Sequence, residues 1–236
     1  MDDPGGVNGG AKRGKTRASS VYEQLRTDIL KGHLKPGSKL RLQHLGNDYG
    51  VGNSPLREAL NRLTSNGLVT REENKGFRVS TASTDELLEL IRTRCWLEET
   101  ALRESIATGD AAWEERVVIA FHRLSKHESS VDDASIQRTV EWEEAHSEYH
   151  LALLSACRSD ILLDFCRQLQ ERTLRYRRLA EVVEYRDLHE CSEHRKIQDA
   201  VLERDVEKAV EMLHAHYVVT LDIIKASDVL DGGKKD

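Results

Sequence analysis

Four histidines in the second half of the chain have a spacing that suits a metal ion. His146 and His150 are four residues apart in a helical segment, so their imidazoles project from one face of that helix. Two imidazoles on one face form half of a metal site. His194 and His216 lie in the last two predicted helices and can converge on the same centre in a helical bundle. The four side chains predict a buried divalent metal, with surface or hydrogen-bonded core histidines as the alternative.

Three neighbouring side chains are weaker ligand candidates. Glu148 lies two residues from each of the first pair and should face elsewhere, whereas Glu143 lies on the same face one turn earlier. His214 and His216 are two residues apart, so at most one of them points inward. An enzyme would need a general base near the metal, and Glu143 is the only obvious one. No nucleophile motif accompanies it, so we expect a binding protein, with a His-cluster metalloenzyme as the alternative.

The composition favours a helical globular protein. Three prolines and 5% aromatic residues favour helices over a β-sandwich. No apolar run approaches the roughly 18 residues of a membrane span, and the N-terminus lacks the apolar core of a signal peptide. We therefore expect a cytoplasmic protein with no membrane partner.

The elements that must position the histidines are helices. From residue 84 onward every segment has helical periodicity. The predicted helices span residues 84–108, 111–128, 134–157, 159–182, 187–203 and 205–225. Long helices joined by short loops predict an antiparallel all-α bundle.

The segment before the bundle has the layout of a winged helix-turn-helix. It contains predicted helices at 21–33, 42–50 and 54–67 and predicted strands at 68–70 and 77–80. Ser54 and Pro55 open the third helix, because serine caps a helix and proline fits its first position. Gly76 lies at the tip between the two strands. This order of elements favours double-stranded DNA as a partner, with a helix-turn-helix used for protein contact as the alternative.

The charge distribution supports the same division. Residues 1–80 carry 14 basic and 8 acidic residues, a net charge of +6, whereas residues 81–236 carry 21 and 33, a net charge of −12. A basic domain can neutralise phosphates, and an acidic one is repelled by them. The expected fold is mainly α. Its parts are a disordered basic arm (1–19), a winged helix-turn-helix (20–81), an all-helical effector, metal-binding and dimerisation domain (82–227) and a flexible tail (228–236).

The third helix carries the predicted DNA-reading surface. Asn53, Arg57 and Asn61 are spaced by four, so they share a stripe beside the buried leucines. Arginine can donate two hydrogen bonds to guanine, and asparagine can pair with adenine. The predicted contacts to phosphates and grooves are Ser54 at the helix N-terminus, Arg41, Arg62, and the wing residues Lys75 and Gly76.

At these residues the chain resembles a known family. The pattern P-L-R-E-A-L-x-R-L-x-x-x-G-L-V from Pro55 to Val69, followed by a G-x-x-V wing, looks like the DNA-binding domain of GntR-type transcription regulators. Many members have Ser-Arg where this chain has Gly52-Asn53. The resemblance therefore implies an operator that departs from the common one.

The second part resembles the all-helical FCD effector domain of the FadR subgroup of that family. The matching residues are Arg94-x-x-Leu97-Glu98, Tyr149-His150-x-x-Leu153, Glu193-His194-x-x-Ile197 and Met212-x-x-x-His216. In many such domains an aspartate and three histidines bind a divalent metal on the floor of an effector pocket.

The resemblance maps those three histidines to His150, His194 and His216, and the aspartate to His146. A nitrogen in place of an anionic oxygen favours zinc, or nickel, over harder metals. The chain also resembles carbon-starvation, glutarate-responsive repressors of the subgroup. That similarity implies glutarate or 2-hydroxyglutarate as effector, with another organic or sugar acid as the alternative.

Two arginines are candidates for holding a second effector carboxylate. Arg94 and Arg175 are predicted to face inward, and arginine pairs with a carboxylate through two hydrogen bonds. A structural ion pair with a helix glutamate is the alternative for each. The sequence thus predicts a homodimeric transcription regulator, a repressor that a small carboxylate releases from a palindromic operator.

Overall fold

The computed structural model of this 236-residue chain describes residues 16–73, 75–129, 140–180, 190–226 and 230. Most of the predicted basic arm, and the predicted tail apart from residue 230, lie outside these ranges. No helix within them is long and apolar enough to cross a membrane.

The described residues form nine helices and three short strands in two regions. The first region contains α1 (Arg17–Leu30), β1 (Lys39–Leu40), α2 (Leu42–Tyr49), α3 (Asn53–Ser65), β2 (Val69–Glu72) and β3 (Gly76–Val79). The second contains α4 (Thr84–Thr108), α5 (Ala111–Ser129), α6 (Val140–Leu154), α7 (Asp160–Ala180), α8 (Glu190–Leu202) and α9 (Val206–Ala226). The prediction of a mainly α protein with an N-terminal winged helix-turn-helix and a helical domain is confirmed.

Two separate hydrophobic clusters underlie these regions. Leu25 of α1 packs with Leu56, Leu60 and Leu63 of α3, and Phe77 of the wing closes the same cluster. This arrangement holds α3 with its leucines inward and its opposite face outward. The predicted boundary at residue 81 remains a proposal, which the separation of the clusters supports.

The starts of α1 and α3 differ from the prediction. Helix α1 begins at Arg17, because the Thr16 side chain caps it by accepting a hydrogen bond from the Ser19 backbone. Residues 17–19 therefore belong to this helix and not to an arm. Helix α3 begins at Asn53 after an extended Gly52, so Ser54 is not its cap. Pro55 still fits, because N–H groups in a first helical turn have no intrahelical partner.

The wing contains a strand that the sequence analysis missed. Lys39 and Leu40 pair with Arg78 and Phe77 of β3, which places β3 in the centre of a three-stranded antiparallel sheet within the described residues. Two residues are too few to show a period of alternation. Gly76 has a φ of +91°, a conformation that favours glycine at the start of β3.

The helical domain packs around aromatic and aliphatic side chains from all six of its helices. Trp113 of α5, Tyr149 of α6 and Tyr217 of α9 are almost completely buried. The indole nitrogen of Trp113 donates to the carbonyl oxygen of Ala152, 2.9 Å away, and so fixes α5 against α6. Helix α9 packs against α4 and α8. The helix pairs place residues of α6, α8 and α9 near one centre.

Helix α7 connects the two regions through one of its faces. Arg172, Arg175 and Tyr176 have the spacing of a single helical face, and each donates to the Glu86 carboxylate at 2.7 to 3.1 Å. Burial alone would raise the pKa of Glu86, but hydrogen bonds from Tyr176 and Arg172 and the charge of Arg175 lower it. Glu86 is therefore ionised at neutral pH and fixes the start of α4 to α7.

Arg175 extends this junction to the DNA-binding region. Its guanidinium donates to the carbonyl oxygens of Gly67 (3.1 Å) and Thr81 (3.2 Å), on either side of the wing. Nearby, the Asn66 amide donates to Tyr22 at 2.8 Å and to Glu171 at 2.7 Å. The end of α3 is thus held directly by α7.

We expect Arg175→Gln to weaken this junction. The substitution removes two bonds to backbone carbonyls and one ion pair, while Glu86 keeps its other two partners. The free energy of unfolding should fall by about 1.5–3 kcal/mol, the range for charged hydrogen bonds. Urea unfolding measures this change, with the exposed Arg116→Gln on α5 as the control. Unchanged stability in Arg175→Gln would contradict the structural role.

Candidate metal and effector site

Four imidazoles meet in the interior of the helical domain. His146 and His150 come from α6, His194 from α8 and His216 from α9, and all four side chains are buried. One nitrogen from each ring lies within 4.8 Å of the others. The structure therefore brings together the four histidines that the spacing and the resemblance selected.

The cluster has dimensions that fit a metal ion. The Nε2 atoms of His146 and His150 are 3.2 Å apart. A tetrahedral zinc ion with Zn–N bonds of about 2.0–2.1 Å separates its nitrogen ligands by about 3.4 Å. The His146–His150 pair is slightly closer than this separation, and nitrogens as far apart as 4.8 Å would need to approach by about 1.4 Å. Nitrogen donors suit zinc, nickel or copper better than manganese or magnesium.

Neighbouring polar groups orient two of the rings. The Glu193 carboxylate lies 2.9 Å from Nδ1 of His216, which directs Nε2 of that ring inward. The Tyr217 hydroxyl lies 3.4 Å from Nδ1 of His150 and also donates to Glu98. A carboxylate that holds the outer nitrogen of a histidine is the usual support of a metal ligand. His150 and His216 are therefore oriented as ligands.

His146 has a different set of neighbours. Its ring stacks on Trp142, with ring centroids 4.7 Å apart. Its Nδ1 lies 3.1 Å from the Arg177 guanidinium, which also contacts the Glu143 carboxylate at 2.5 Å. Arg177 is a functional candidate that the sequence analysis missed.

The electrostatic environment favours the neutral form of His146 and His150. Burial lowers the pKa of His146 well below its ordinary value, and the charge of Arg177 lowers it further. Burial also lowers the pKa of His150 well below its ordinary value, and the neighbouring His216 lowers it further. Neutral imidazole is the form that can bind a metal, so these two rings are in that form at neutral pH.

Of the two arginines predicted to hold an effector carboxylate, one lies beside the cluster. Arg94 is buried, donates to Glu98 at 2.8 Å and to Tyr217 at 3.1 Å, and so contacts the group that supports His150. Arg175 is not at the cluster, because its guanidinium is held at the junction by Gly67 and Thr81. The structure therefore does not bring Arg175 to the cluster, and it shows for both arginines the structural alternative, an ion pair with a helix glutamate.

The weaker ligand candidates lie outside the cluster or are already bound. Glu148 is exposed and lies 3.5 Å from Arg123. His214 is half-buried and lies 3.4 Å from Glu99, so His216 is the inward member of that pair. Glu143 is buried, but its Oε2 is bound to Arg177.

The predicted DNA-reading residues lie on the outside of the winged region. The side chains of Asn53, Arg57 and Asn61 are exposed along α3. The remaining predicted contacts, Arg41, Ser54, Arg62, Lys75 and Gly76, are exposed as well. The Arg62 guanidinium lies 4.1 Å from the centroid of the Tyr22 ring, so part of its binding capacity is used within the protein.

A winged helix-turn-helix joined to a helical domain with a buried histidine cluster is the architecture of a DNA-binding regulator. The sequence profile described as "Bacterial regulatory proteins, gntR family" matches residues 17–79, and the FCD domain profile matches residues 89–218. The chain belongs to the GntR family of bacterial transcription regulators and carries an FCD effector-binding domain.

Named relatives agree with this assignment. The chain is 36% identical over 211 residues to the uncharacterized HTH-type transcriptional regulator BphR of Paraburkholderia xenovorans (strain LB400), covering 89% of this chain and 86% of the relative. It is 35% identical over 208 residues to the HTH-type transcriptional repressor GlaR of Escherichia coli (strain K12), covering 86% and 94%. These relatives are regulators, which confirms the prediction that the chain is not an enzyme.

Solved structures share the fold. E. coli McbR/YncC superposes with a TM-score of 0.71 at 21% identity, over 89% of this chain and 98% of that one. A GntR transcriptional regulator from Rhodococcus sp. RHA1 superposes with a TM-score of 0.67 at 21% identity, over 93% and 99%.

We expect the metal-free protein to lose stability as the pH falls below about 6.5. The folded state lowers the pKa values of His146 and His150, so the unfolded chain binds protons first. Above the unfolded value of 6.5 both states are neutral at these sites, and their contribution is constant. Urea midpoints in EDTA between pH ~8 and ~5.5 measure the decline. His150→Gln should show a shallower decline, and an identical profile would contradict this origin.

Proposed function

We propose that this regulator is a repressor that a metal-bound carboxylate releases from DNA. The observation that carries the proposal is the buried cluster of four histidines in a domain that α7 connects to the winged helix-turn-helix. The relative GlaR is named a repressor, which supports the direction of regulation. The genes that the present regulator controls are proposed to form a catabolic operon. The regulator is proposed to act in the cytoplasm, where its operator lies.

Helix α3 is proposed to read the operator in the major groove. Arg57 supplies the main base contact through two hydrogen bonds to a guanine, and Asn53 and Asn61 contact neighbouring bases. Ser54, Arg41, Arg62 and the wing residues Lys75 and Gly76 contact the backbone or the minor groove. The exposure of all these side chains supports the assignment.

The effector domain is proposed to hold zinc or nickel through the histidine cluster. Because the ligands are neutral, the metal keeps a net positive charge that attracts an anionic effector. Glutarate or 2-hydroxyglutarate is the proposed effector, on the strength of the resemblance to glutarate-responsive repressors. Arg94 is the proposed partner for a second carboxylate, because it lies against the Tyr217 hydroxyl near His150.

The protein is proposed to act as a homodimer. Helices α4 and α9 expose large apolar side chains on adjacent surfaces, with Trp96 60% and Val218 50% exposed. Charged neighbours of both signs, including Arg92 and Glu89, border the same surface. A twofold axis through it would pair each patch with its copy and place two α3 helices on a palindromic operator.

Effector binding is proposed to act on DNA affinity through α7. This helix carries Arg177 at the histidine cluster and Arg175 at the end of α3. An effector that binds one placement of α7 more tightly shifts the population of that placement. The separation of the two α3 helices in the dimer then changes.

Arg57→Ala is expected to weaken binding to the operator in the upstream region of the gene by about 10- to 100-fold. Loss of a bidentate contact to guanine is the physical reason. Fluorescence polarisation with a labelled duplex measures the affinity, and the size of the complex reports two bound chains. Arg116→Ala on α5 is the matched control and should bind normally. Absence of specific binding by the wild-type protein under all effector conditions would refute the DNA-binding proposal.

Metal analysis is expected to show close to one zinc or nickel ion per chain. His150→Ala combined with His194→Ala should lose it, while His122→Ala on the exposed face of α5 should keep it.

Glutarate or 2-hydroxyglutarate should raise the melting temperature of the metal-loaded protein and not that of the EDTA-treated protein. A screen that includes sugar acids tests the alternative effector class. Full response of a metal-free protein would contradict the role of the metal.

A further inference from the structure

The hydrogen bonds around the histidine cluster assign a proton position to each oriented ring. A guanidinium group has only N–H donors and cannot accept a hydrogen bond. Arg177 therefore donates to Nδ1 of His146, 3.1 Å away, and this nitrogen must present its lone pair. In neutral imidazole the proton then lies on Nε2. The Nε2–H of His146 points into the cluster towards Nε2 of His150, 3.2 Å away.

His216 and His150 have the opposite arrangement. Nδ1 of His216 faces the Glu193 carboxylate at 2.9 Å, which can only accept, so Nδ1 carries the proton and Nε2 offers its lone pair. The Tyr217 hydroxyl donates to Glu98, which leaves its oxygen to accept from Nδ1 of His150. His150 therefore also offers Nε2 inward. In these two rings the inward nitrogen offers a lone pair. In His146 the inward nitrogen carries the proton and can only donate.

The position of Arg177 is fixed by its own partner. Its side chain is buried and pairs at 2.5 Å with the Glu143 carboxylate, which is buried as well. Separating a buried ion pair leaves an uncompensated charge, so turning the guanidinium away from His146 is unfavourable. Arg177 is thus a positioning residue that acts on the cluster through His146.

We propose that His146 is not a metal ligand and that its Nε2–H donates a hydrogen bond to a metal-bound oxygen of the effector. The inference rests on the proposed metal site and changes its ligand set to His150, His194 and His216. Three protein ligands leave a coordination position open, as in zinc sites that exchange an external ligand. Because Nε2–H only donates, it selects an oxygen that carries a lone pair, such as a carboxylate or carbonyl oxygen.

Nitrogen-15 NMR of the full-length, histidine-labelled protein tests the proton positions directly. Spectra of the EDTA-treated and zinc-loaded protein are compared, and the His146→Gln spectrum assigns the ring. We expect His146 to keep its proton on Nε2 and an unprotonated, metal-free Nδ1 in both states. A zinc-bound Nε2 on His146 with a proton on Nδ1 would overturn the inference and leave the metal site intact.

Zinc and effector titrations provide the second readout. His146→Gln should change zinc affinity by less than about tenfold and weaken glutarate binding to the zinc-loaded protein by about 10- to 100-fold, the loss of one hydrogen bond to a charged group. His150→Gln should lose zinc binding itself. A loss of zinc affinity in His146→Gln equal to that in His150→Gln would contradict the proposal. If the wild-type protein binds no zinc or nickel, the proposed metal site fails together with this inference.

The double variant Arg177→Met/Glu143→Leu removes both members of the buried ion pair. It frees Nδ1 of His146 to take the proton, so the ring can turn its Nε2 lone pair to the metal. We expect tighter zinc binding and a fourth zinc-bound histidine in the nitrogen-15 spectrum. A spectrum unchanged from the wild type would show that Arg177 does not set the proton position.

Discussion

Buried guanidinium groups constrain the placement of α7, and both halves of the protein depend on that placement. Arg175 and Arg177 are two residues apart, so they point to nearly opposite sides of the helix. One is paired with Glu86 and two backbone carbonyls, and the other with Glu143 and an imidazole. An unpaired buried charge costs several kcal/mol, so neither side can be released cheaply. Any rotation or sliding of α7 must therefore move groups at both the histidine cluster and the DNA-binding region.

The space around α7 suits a small shift of this kind. A groove of about 350 Å³ lies between α1 of the winged region and α6 and α7 of the helical domain. Its walls include Glu143, which binds Arg177, and Glu171, which binds Asn66 at the end of α3. The contact between domains is therefore a set of polar bonds beside a cavity and not a close-packed core. Two placements of α7 that keep the buried ion pairs of Arg175 and Arg177 can therefore differ by little free energy, because the more exposed polar bonds beside the cavity exchange with water at modest cost.

The sequence predicted the features that have a local pattern. Helix α4 begins at Thr84 as predicted, because Ser83 caps it and acidic residues follow. The histidine pair of α6 converges with α8 and α9 because four-residue spacing fixes a face. The sequence did not show that Arg177 faces the histidine cluster while Arg175 faces the winged region. Residues 173–177 are all buried, since the cluster covers one side of α7 and the winged region covers the other. Such a segment has no polar face, so periodicity gives no direction to its charged residues.

The histidine at position 146 changes the charge of the whole site and not only one ligand. In the pattern that the family resemblance implies, an aspartate here brings a negative charge to the metal. Among the described residues of this chain no carboxylate belongs to the cluster itself: Glu98 and Glu143 are each paired with an arginine, and Glu193 contacts the outer nitrogen of His216. A divalent metal held by neutral rings would therefore keep a net positive charge until an external anion binds. Charge neutrality then depends in part on the effector itself, which favours an anion. Arg177 strengthens the preference for an anion, because it holds His146 as a hydrogen-bond donor. An anion can accept that hydrogen bond, whereas a cation cannot.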